Sequence, residues 1–235
     1  RREAAAEDLL TFLQTYCPNS TGLSPFSDDH KRVIESMQRC IVEGGRFVNA
    51  VFRGFGKTSV ATNAAIWAVL YGYRRYVAVF SANEPQAQDL IASIKTELSE
   101  NDLPFEDFPE VCHAFRELEG KPQRCHSQTC GGQLTHIVYR ADRVAMPYVA
   151  GSKAGGAILA SRGMNGSGTR GLLHTTPDGT KQRPDFVIVD DPQTAETPST
   201  PGQVKKRLRI LRRDVMKLSG DRRQMAGVVI ATVTA

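Results

Sequence analysis

Long hydrophobic runs are missing from this chain of 235 residues. No stretch approaches the roughly 18 consecutive apolar residues of a membrane-spanning helix, and the longest mostly apolar segment, residues 61–73, contains Asn63. The chain begins Arg1-Arg2-Glu3 without a following apolar region, so we expect no secretory signal peptide. Repeats and low-complexity segments are also absent. With 40% hydrophobic and 23% charged residues, the composition is that of an ordinary globular protein.

Cysteine is scarce and odd in number, which argues against a disulfide framework. Without a secretion signal, the five cysteines predict reduced intracellular thiols. Cys112, Cys125 and Cys130, with the adjacent His113 and His126, are candidate zinc ligands, but the spacing contains no clean pair of Cys-x-x-Cys knuckles. A zinc site and free thiols both stay open, and free thiols are favoured.

Strand-like and helix-like segments alternate along the chain. Helices are predicted over residues 3–16, 30–43, 57–71, 85–98 and 202–218, and strands over 46–52, 76–80, 133–140, 157–161, 185–189 and from 227 onward. This pattern predicts an α/β fold with a mainly parallel central sheet flanked by helices. We expect one domain over residues 1–235, with a helical lead over 1–45 and a β-rich insertion over 120–184. Because the last apolar strand stops abruptly, we expect a further C-terminal part in the natural protein.

A glycine turn separates the predicted strand at 46–52 from the helix at 57–71. Successive backbone amides at the start of a helix can hold phosphate oxygens, a lysine ammonium can neutralise them, and a hydroxyl can bind Mg²⁺. Val51 replaces the first glycine of the pattern G-x-x-x-x-G-K-[ST], so the match is incomplete. The candidate phosphate-binding residues are Arg53, Gly54, Phe55, Gly56, Lys57, Thr58 and Ser59. They indicate ATP with Mg²⁺.

Two adjacent carboxylates, Asp190 and Asp191, follow four apolar residues. Because side chains alternate along a strand, we expect Asp190 to point at the metal together with Thr58. Asp191 can then turn towards the γ-phosphate and orient the attacking water. Glu196 is the reserve candidate for that base, and a plain Asp-Asp-Pro turn is the alternative without catalysis.

Together these motifs resemble the ATPase domain of the large terminase subunit of tailed bacteriophages. The resemblance rests on residues 53–58, 187–194, 168–171 and 231–234, and it extends over residues 22–235. It implies a P-loop fold of the additional-strand (ASCE, RecA-like) type and ATP hydrolysis coupled to translocation of double-stranded DNA. It also implies a homo-oligomeric ring, expected to be a pentamer, on the portal protein of the procapsid in the host cytoplasm. A small terminase subunit is a further implied partner, a membrane is not, and the usual C-terminal nuclease domain has no room in this chain.

The resemblance also implies roles for individual residues. Arg170 matches an arginine that stabilises transition-state charge, and Arg162 is its rival because a hairpin signal separates Arg170 from Asp190. Thr232 matches a coupling motif in which a hydroxyl senses the γ-phosphate, although a simple strand residue is almost as plausible there. His30 lies near the position where this fold often contacts adenine, although a residue of the helix start is the default interpretation.

The helix predicted over residues 202–218 is strongly basic, and the net charge of the chain is +5. Lys205, Lys206, Arg209 and Arg213 are the candidate DNA-binding residues, because such a face would bind a duplex backbone without reading its sequence. A solvated helix face is an equally good interpretation. Two other functions stay open: a helicase-like or repair P-loop ATPase acting on DNA, and a zinc-stabilised DNA-binding module without catalysis.

Overall fold

A seven-stranded central sheet organises the part of the chain that the computed structural model describes, which is residues 1–22, 25–164, 172–192, 201–219 and 225–233. The helices are α1 (Arg2–Ala6), α2 (Leu9–Tyr16), α3 (Pro18–Thr21), α4 (Asp28–Val42), α5 (Lys57–Leu70), α6 (Glu84–Glu100), α7 (Asp102–Asp107), α8 (Pro109–Glu117) and α9 (Pro201–Arg213), with 3-10 helices at Pro122–His126 and Val215–Lys217. The strands are β1 (Arg46–Val51), β2 (Tyr76–Ser81), β3 (Thr129–Cys130), β4 (Gln133–Leu134), β5 (Val138–Arg140), β6 (Arg143–Ala145), β7 (Ile158–Gly163), β8 (His174–Thr175), β9 (Lys181–Gln182), β10 (Phe186–Asp190) and β11 (Ala226–Thr232).

The strand order across the central sheet is β1-β11-β10-β2-β7-β6-β5. The first five strands run parallel, and β6 and β5 continue the sheet in antiparallel fashion. Strand β11 is inserted between β1 and β10, with Val51 opposite Thr232 and Asp190 opposite Ile230. The carboxyl ends of β1, β11 and β10 therefore meet at one edge. The predicted fold class, α/β with a mainly parallel sheet flanked by helices, is confirmed.

Helix α5 is buried along most of its length, from Val60 to Leu70. A helix that is apolar on all sides needs neighbours all round, and α5 contacts β2 and β10 of the sheet as well as helices α2, α4 and α6. Trp67 is fully buried, and its indole N–H donates a 2.8 Å hydrogen bond to the carbonyl oxygen of Ala5. The N-terminal helices thereby fix the helix that begins at Lys57. No helix in the described ranges is long and apolar enough to cross a bilayer.

Several predicted elements differ from the structure. The single helix over residues 3–16 is wrong, because the Asp8 side chain accepts hydrogen bonds from the N–H groups of Leu10 and Thr11 and so starts a new helix, α2, after α1 has ended. The structure also contains two helices that were not predicted, α7 and α8. Asn101 caps α7, and Pro109 begins α8. A proline is tolerated there because an N–H at the first helical position would have no partner within the helix, so nothing is lost when it is absent.

The region over residues 120–184 contributes strands to more than one sheet. Strands β5, β6 and β7 extend the central sheet beside β2, whereas β3 pairs with β4 and β8 pairs with β9 in separate two-stranded sheets. The single strand predicted over residues 133–140 is wrong, because β4 and β5 are interrupted where His136 adopts a left-handed backbone with φ of 50°.

Gly163 ends β7 where the strand passes the start of α6. A Cβ atom added there would lie 2.3 Å from the backbone nitrogen of Glu84 and 2.5 Å from the backbone carbon of Asn83. Because backbone atoms cannot move aside alone, we expect Gly163→Ala to lower the free energy of unfolding by about 1–3 kcal/mol. Gly155→Ala is the matched control, since its nearest contact would be 3.5 Å away, and its effect should stay within about 0.5 kcal/mol. Equal stability of the two variants in urea unfolding would contradict this close contact.

Candidate active site at the carboxyl edge of the sheet

The glycine turn between β1 and α5 forms a potential anion-binding site at the start of a buried helix. Gly54 and Gly56 have φ of 86° and 73°, a region that favours glycine. Gly56 immediately precedes α5, which begins at Lys57. The first N–H groups of a helix have no acceptor within it and carry partial positive charge. The backbone amides of Lys57, Thr58 and Ser59 are therefore suited to phosphate oxygens.

Val51 occupies the position of the missing glycine, and the structure explains why valine fits there. It is the buried last residue of β1, and its carbonyl oxygen accepts a 2.8 Å hydrogen bond from the N–H of Val233. An extended strand favours a β-branched residue and requires no positive φ. The departure from the pattern thus lies in the strand and not in the turn.

The structure brings the two predicted carboxylates next to the start of α5. Asp190, the last residue of β10, accepts a 2.7 Å hydrogen bond from the hydroxyl group of Thr58. The carboxylate of Asp191 lies 2.7 Å from the Nζ atom of Lys57. Two consecutive carboxylates therefore contact two consecutive residues of the candidate phosphate-binding segment, residues 53–59, which is called the phosphate loop below.

Asp190 has the environment of a candidate metal ligand. Only 4% of the residue is exposed, and burial raises the pKa of its carboxyl group, even though the hydrogen bond from Thr58 lowers it. Its Oδ1 atom has no hydrogen-bond partner among the described residues. Magnesium is held in proteins by one or two such oxygens together with waters and substrate phosphates. The residues present therefore fit Mg²⁺, which Asp190 and Thr58 would hold.

Asp191 has an unusual backbone conformation, with φ of 40°. Such a left-handed conformation is uncommon for a residue with a side chain, and it tends to occur at functional sites. The Thr232 N–H donates to Oδ1 at 2.8 Å, and the Thr232 hydroxyl lies 2.9 Å from Oδ1 and 2.8 Å from Oδ2. Thr232 thus contacts the carboxylate that was predicted to orient water.

Solved structures with a similar fold exist. The ATPase domain of the large terminase of Thermus phage P74-26 is similar over 93% of this chain and 68% of its own, at 14% identity and a TM-score of 0.50. A point mutant of that domain is similar over 93% of this chain and 69% of its own, at 14% identity and a TM-score of 0.52. The chain has the fold of a phage large-terminase ATPase domain. No protein-family profile and no curated protein sequence matches it.

The four remaining candidates, three arginines and a glutamate, differ in how much the structure says about them. Arg170 and Glu196 lie outside the described residues, so their roles stay predictions. Arg53 is exposed in the glycine turn. Arg162, the rival to Arg170, lies near the end of β7. Its guanidinium group donates to the Asp142 carboxylate and lies 3.9 Å from the carboxylate of Glu84. Strand β2 separates β7 from β10, so the observed contacts of Arg162 are with acidic side chains and not with the phosphate loop.

The zinc alternative finds no support in the described part of the chain, where no three His, Cys, Asp or Glu side chains come close enough to hold a metal ion. Cys112 is buried in α8, Cys125 is partly buried and Cys130 is exposed. Burial raises the pKa of the Cys112 thiol to about 12. Such a group resists becoming the thiolate that binds metals.

The basic helix is present as α9, but it ends at Arg213, and a separate 3-10 helix follows in place of the predicted continuation to residue 218. Its four candidate DNA-binding side chains are all exposed. Three of them, Lys205, Arg209 and Arg213, are spaced four residues apart and so lie on one helix face. On its other side, Ile210 and Leu211 pack against the core of the sheet.

His30 is closer to the phosphate loop than the sequence indicated. Its Nε2 atom lies 3.1 Å from the carbonyl oxygen of Phe55. The sequence signal was the spacing from Ser27 to His30, which is that of a capping box with histidine in place of the usual Glu or Gln.

Replacing Asp190 with asparagine should stabilise the protein in the presence of a chelator. The buried carboxylate loses solvation and has one oxygen without a partner among the described residues, whereas a neutral amide of the same size avoids burying a charge. We expect a higher Tm for Asp190→Asn than for the wild type in EDTA. Added Mg²⁺ should raise the Tm of the wild type and leave that of the variant unchanged. The same Mg²⁺ response in both proteins would argue against Asp190 as a ligand.

Proposed function

We propose that this chain is the ATPase motor domain of a phage terminase large subunit, coupling Mg-ATP hydrolysis to translocation of double-stranded DNA into a procapsid. One observation carries the proposal. Side chains from three separate segments contact one another beside the free amides of α5: Lys57 and Thr58, Asp190 and Asp191, and Thr232. A cation, hydroxyls and two carboxylates in this arrangement are the groups that phosphoryl transfer from a nucleotide requires.

The glycine turn and the first residues of α5 would bind the triphosphate. The amides of Lys57, Thr58 and Ser59 would donate to phosphate oxygens, while the Lys57 ammonium neutralises charge on the β- and γ-phosphates. Arg53, exposed in the same turn, would be a second cation. Thr58 and Asp190 would hold Mg²⁺, which supplies neutralisation of the charge that develops on the phosphate oxygens.

Asp191 would orient the attacking water and accept its proton. The N–H and hydroxyl groups of Thr232 set the direction of the Asp191 carboxylate. Lys57 contacts the same carboxylate, so a γ-phosphate at Lys57 also comes next to the pair formed by Asp191 and Thr232. This contact supports a coupling role for Thr232, exerted through the carboxylate.

Helix α9 would contact the DNA. It lies in the connection between β10, which ends beside Asp191, and the start of β11, the strand whose last residue is Thr232. Its exposed cations suit the backbone of a duplex, which carries about one negative charge per 1.7 Å. Backbone contacts carry no sequence information, as a motor that moves along any sequence needs.

The assembly follows from the resemblance. We propose a homo-oligomeric ring, a pentamer, on the portal protein, with the small terminase subunit as a further partner. Arg170 would act as the arginine finger on the ATP of its own or a neighbouring subunit, a contribution worth about 10³–10⁵ in rate.

ATP turnover by the purified chain, with and without duplex DNA, tests the proposed function. We expect Mg²⁺-dependent turnover that DNA stimulates, and turnover per chain that rises with protein concentration if a neighbour donates Arg170. Absence of Mg²⁺-dependent turnover under all these conditions would contradict the proposal.

Replacing Lys205 and Arg209 with alanine should weaken DNA binding equally for unrelated sequences. Each phosphate contact contributes about 0.9 to the slope of log affinity against log salt, so the double variant should reduce that slope by about 2. The matched control is the pair Lys31→Ala and Arg32→Ala, which removes the same charge from α4, where both side chains pair with acidic residues of the same helix. Fluorescence anisotropy across a salt series measures the slopes. Equal slopes for the α9 variant and the wild type would place the DNA contact elsewhere.

A further inference from the structure

His30 connects α4 to the phosphate loop through both of its ring nitrogens. Nδ1 lies 3.2 Å from the backbone nitrogen and 2.6 Å from the hydroxyl oxygen of Ser27. Nε2 lies 3.1 Å from the carbonyl oxygen of Phe55, in the middle of the glycine turn. One ring therefore caps a helix and contacts the loop at the same time.

The partners of the ring define its tautomer. The Ser27 backbone N–H can only donate, so Nδ1 accepts, and the proton is on Nε2. The Phe55 carbonyl can only accept, so Nε2–H donates to it. The Ser27 hydroxyl accepts from the His30 backbone N–H at 3.4 Å and can donate to Nδ1. With Nδ1 as acceptor and Nε2 as donor, no contact of the ring brings two donors or two acceptors together.

The hydrogen bond from His30 fixes the orientation of the peptide unit between Phe55 and Gly56. In a trans peptide the C=O and N–H groups point in opposite directions. Holding the Phe55 carbonyl towards α4 therefore turns the Gly56 N–H away from α4. That N–H immediately precedes the free amides at the start of α5.

Ring packing holds Phe55 in place in addition to the hydrogen bond from His30. The rings of His30 and Phe55 stack with centroids 4.1 Å apart and an interplanar angle of 23°. Phe26 packs edge-on against His30, and Phe52 packs edge-on against Phe55, which is 2% exposed. Glycine loses more conformational freedom on ordering than any other residue, so a turn with Gly54 and Gly56 on either side of Phe55 gains most from an anchor at its centre.

We propose that His30 is a positioning residue that holds the phosphate loop in its anion-binding conformation. The inference rests on the proposed function, because it assumes that the loop binds a triphosphate. This role differs from a contact between His30 and the adenine base. A positioning residue acts through the loop backbone and therefore affects the binding of the phosphates alone.

Two substitutions test the contributions of the two ring nitrogens separately. In His30→Gln the terminal amide N–H₂ matches the reach of Nε2 and can still donate to Phe55, whereas in His30→Asn the shorter side chain can still accept from Ser27 and keep the helix cap. His113→Gln is the control, because His113 is exposed on α8. We expect His30→Asn to bind both Mg-ATP and inorganic tripolyphosphate about 5- to 30-fold more weakly, the range for loss of one such interaction. His30→Gln should restore most of the affinity.

Hydrogen exchange without any ligand supplies a second readout. In His30→Asn the amides over residues 54–58 should exchange faster, while those of α4 should keep their protection because the cap remains. Weaker binding of ATP with unchanged binding of tripolyphosphate would overturn the inference in favour of a base contact. Unchanged binding of both, with unchanged exchange over 54–58, would overturn it as well. If the wild type binds neither ligand, or if Lys57→Ala binds both equally well, the proposed function itself fails.

Discussion

We expect replacement of Lys57 with alanine to lower ATP turnover by at least about 10²–10³-fold. Its side chain is only 12% exposed and lies at the start of α5, where the ammonium and the helix amides would act on the same phosphate oxygens. One donor aimed at developing charge in such a site is worth about this factor by itself. The substitution also leaves Asp191 without its ammonium partner. Steady-state phosphate release measures the effect.

The matched control removes a lysine from the protein surface. Lys31 is exposed on α4, and its ion pair with Asp28 is of the kind worth at most about 1 kcal/mol. Lys31→Ala should therefore keep the turnover of the wild type. Turnover of Lys57→Ala within about tenfold of the wild type, a barrier change near 1.4 kcal/mol, would contradict the role assigned to the ammonium.

We expect replacement of Asp191 with asparagine to lower turnover by about 10²–10⁴-fold, the usual contribution of a general base. The affinity for Mg-ATP should be retained or increased, because the substitution removes an anion that lies beside Lys57. Asparagine keeps the volume and the oxygen that accepts from the Thr232 N–H. The loss should therefore appear in the hydrolysis step. Single-turnover hydrolysis combined with nucleotide binding separates the two effects.

Glu196→Gln is the companion variant, because Glu196 is the reserve candidate for the base. If Asp191 orients the water, Glu196→Gln retains most of the turnover. The reverse pattern, an inactive Glu196→Gln beside an active Asp191→Asn, would transfer the role to Glu196.

The phosphate loop and the acidic strand end could be predicted because each is a local pattern. The run from Gly54 to Thr58 carries the glycines that a left-handed turn needs, the lysine and the hydroxyl in one segment. The four apolar residues before Asp190 define a buried strand and its end. Parallel strands place their carboxyl ends at one edge, so the contact between Thr58 and Asp190 follows from local patterns and sheet geometry.

Other features of the site depend on long-range packing that local patterns do not encode. The contact between Thr232 and Asp191 requires β11 to lie between β1 and β10, and it requires the left-handed backbone of Asp191. The position of His30 against Phe55 depends on how α4 packs beside the turn. Helix α8, which was not predicted, begins with a proline that suits the first helical position. The roles of Arg170 and Glu196 stay predictions.

A structure of the chain with Mg²⁺ and a non-hydrolysable ATP analogue tests the central claim most directly. The account predicts that the γ-phosphate lies within hydrogen-bond distance of the Lys57 ammonium and of the first amides of α5, with the metal held by Thr58 and Asp190. A nucleotide bound elsewhere, with Lys57 and Asp190 contacting neither phosphate nor metal, would contradict it.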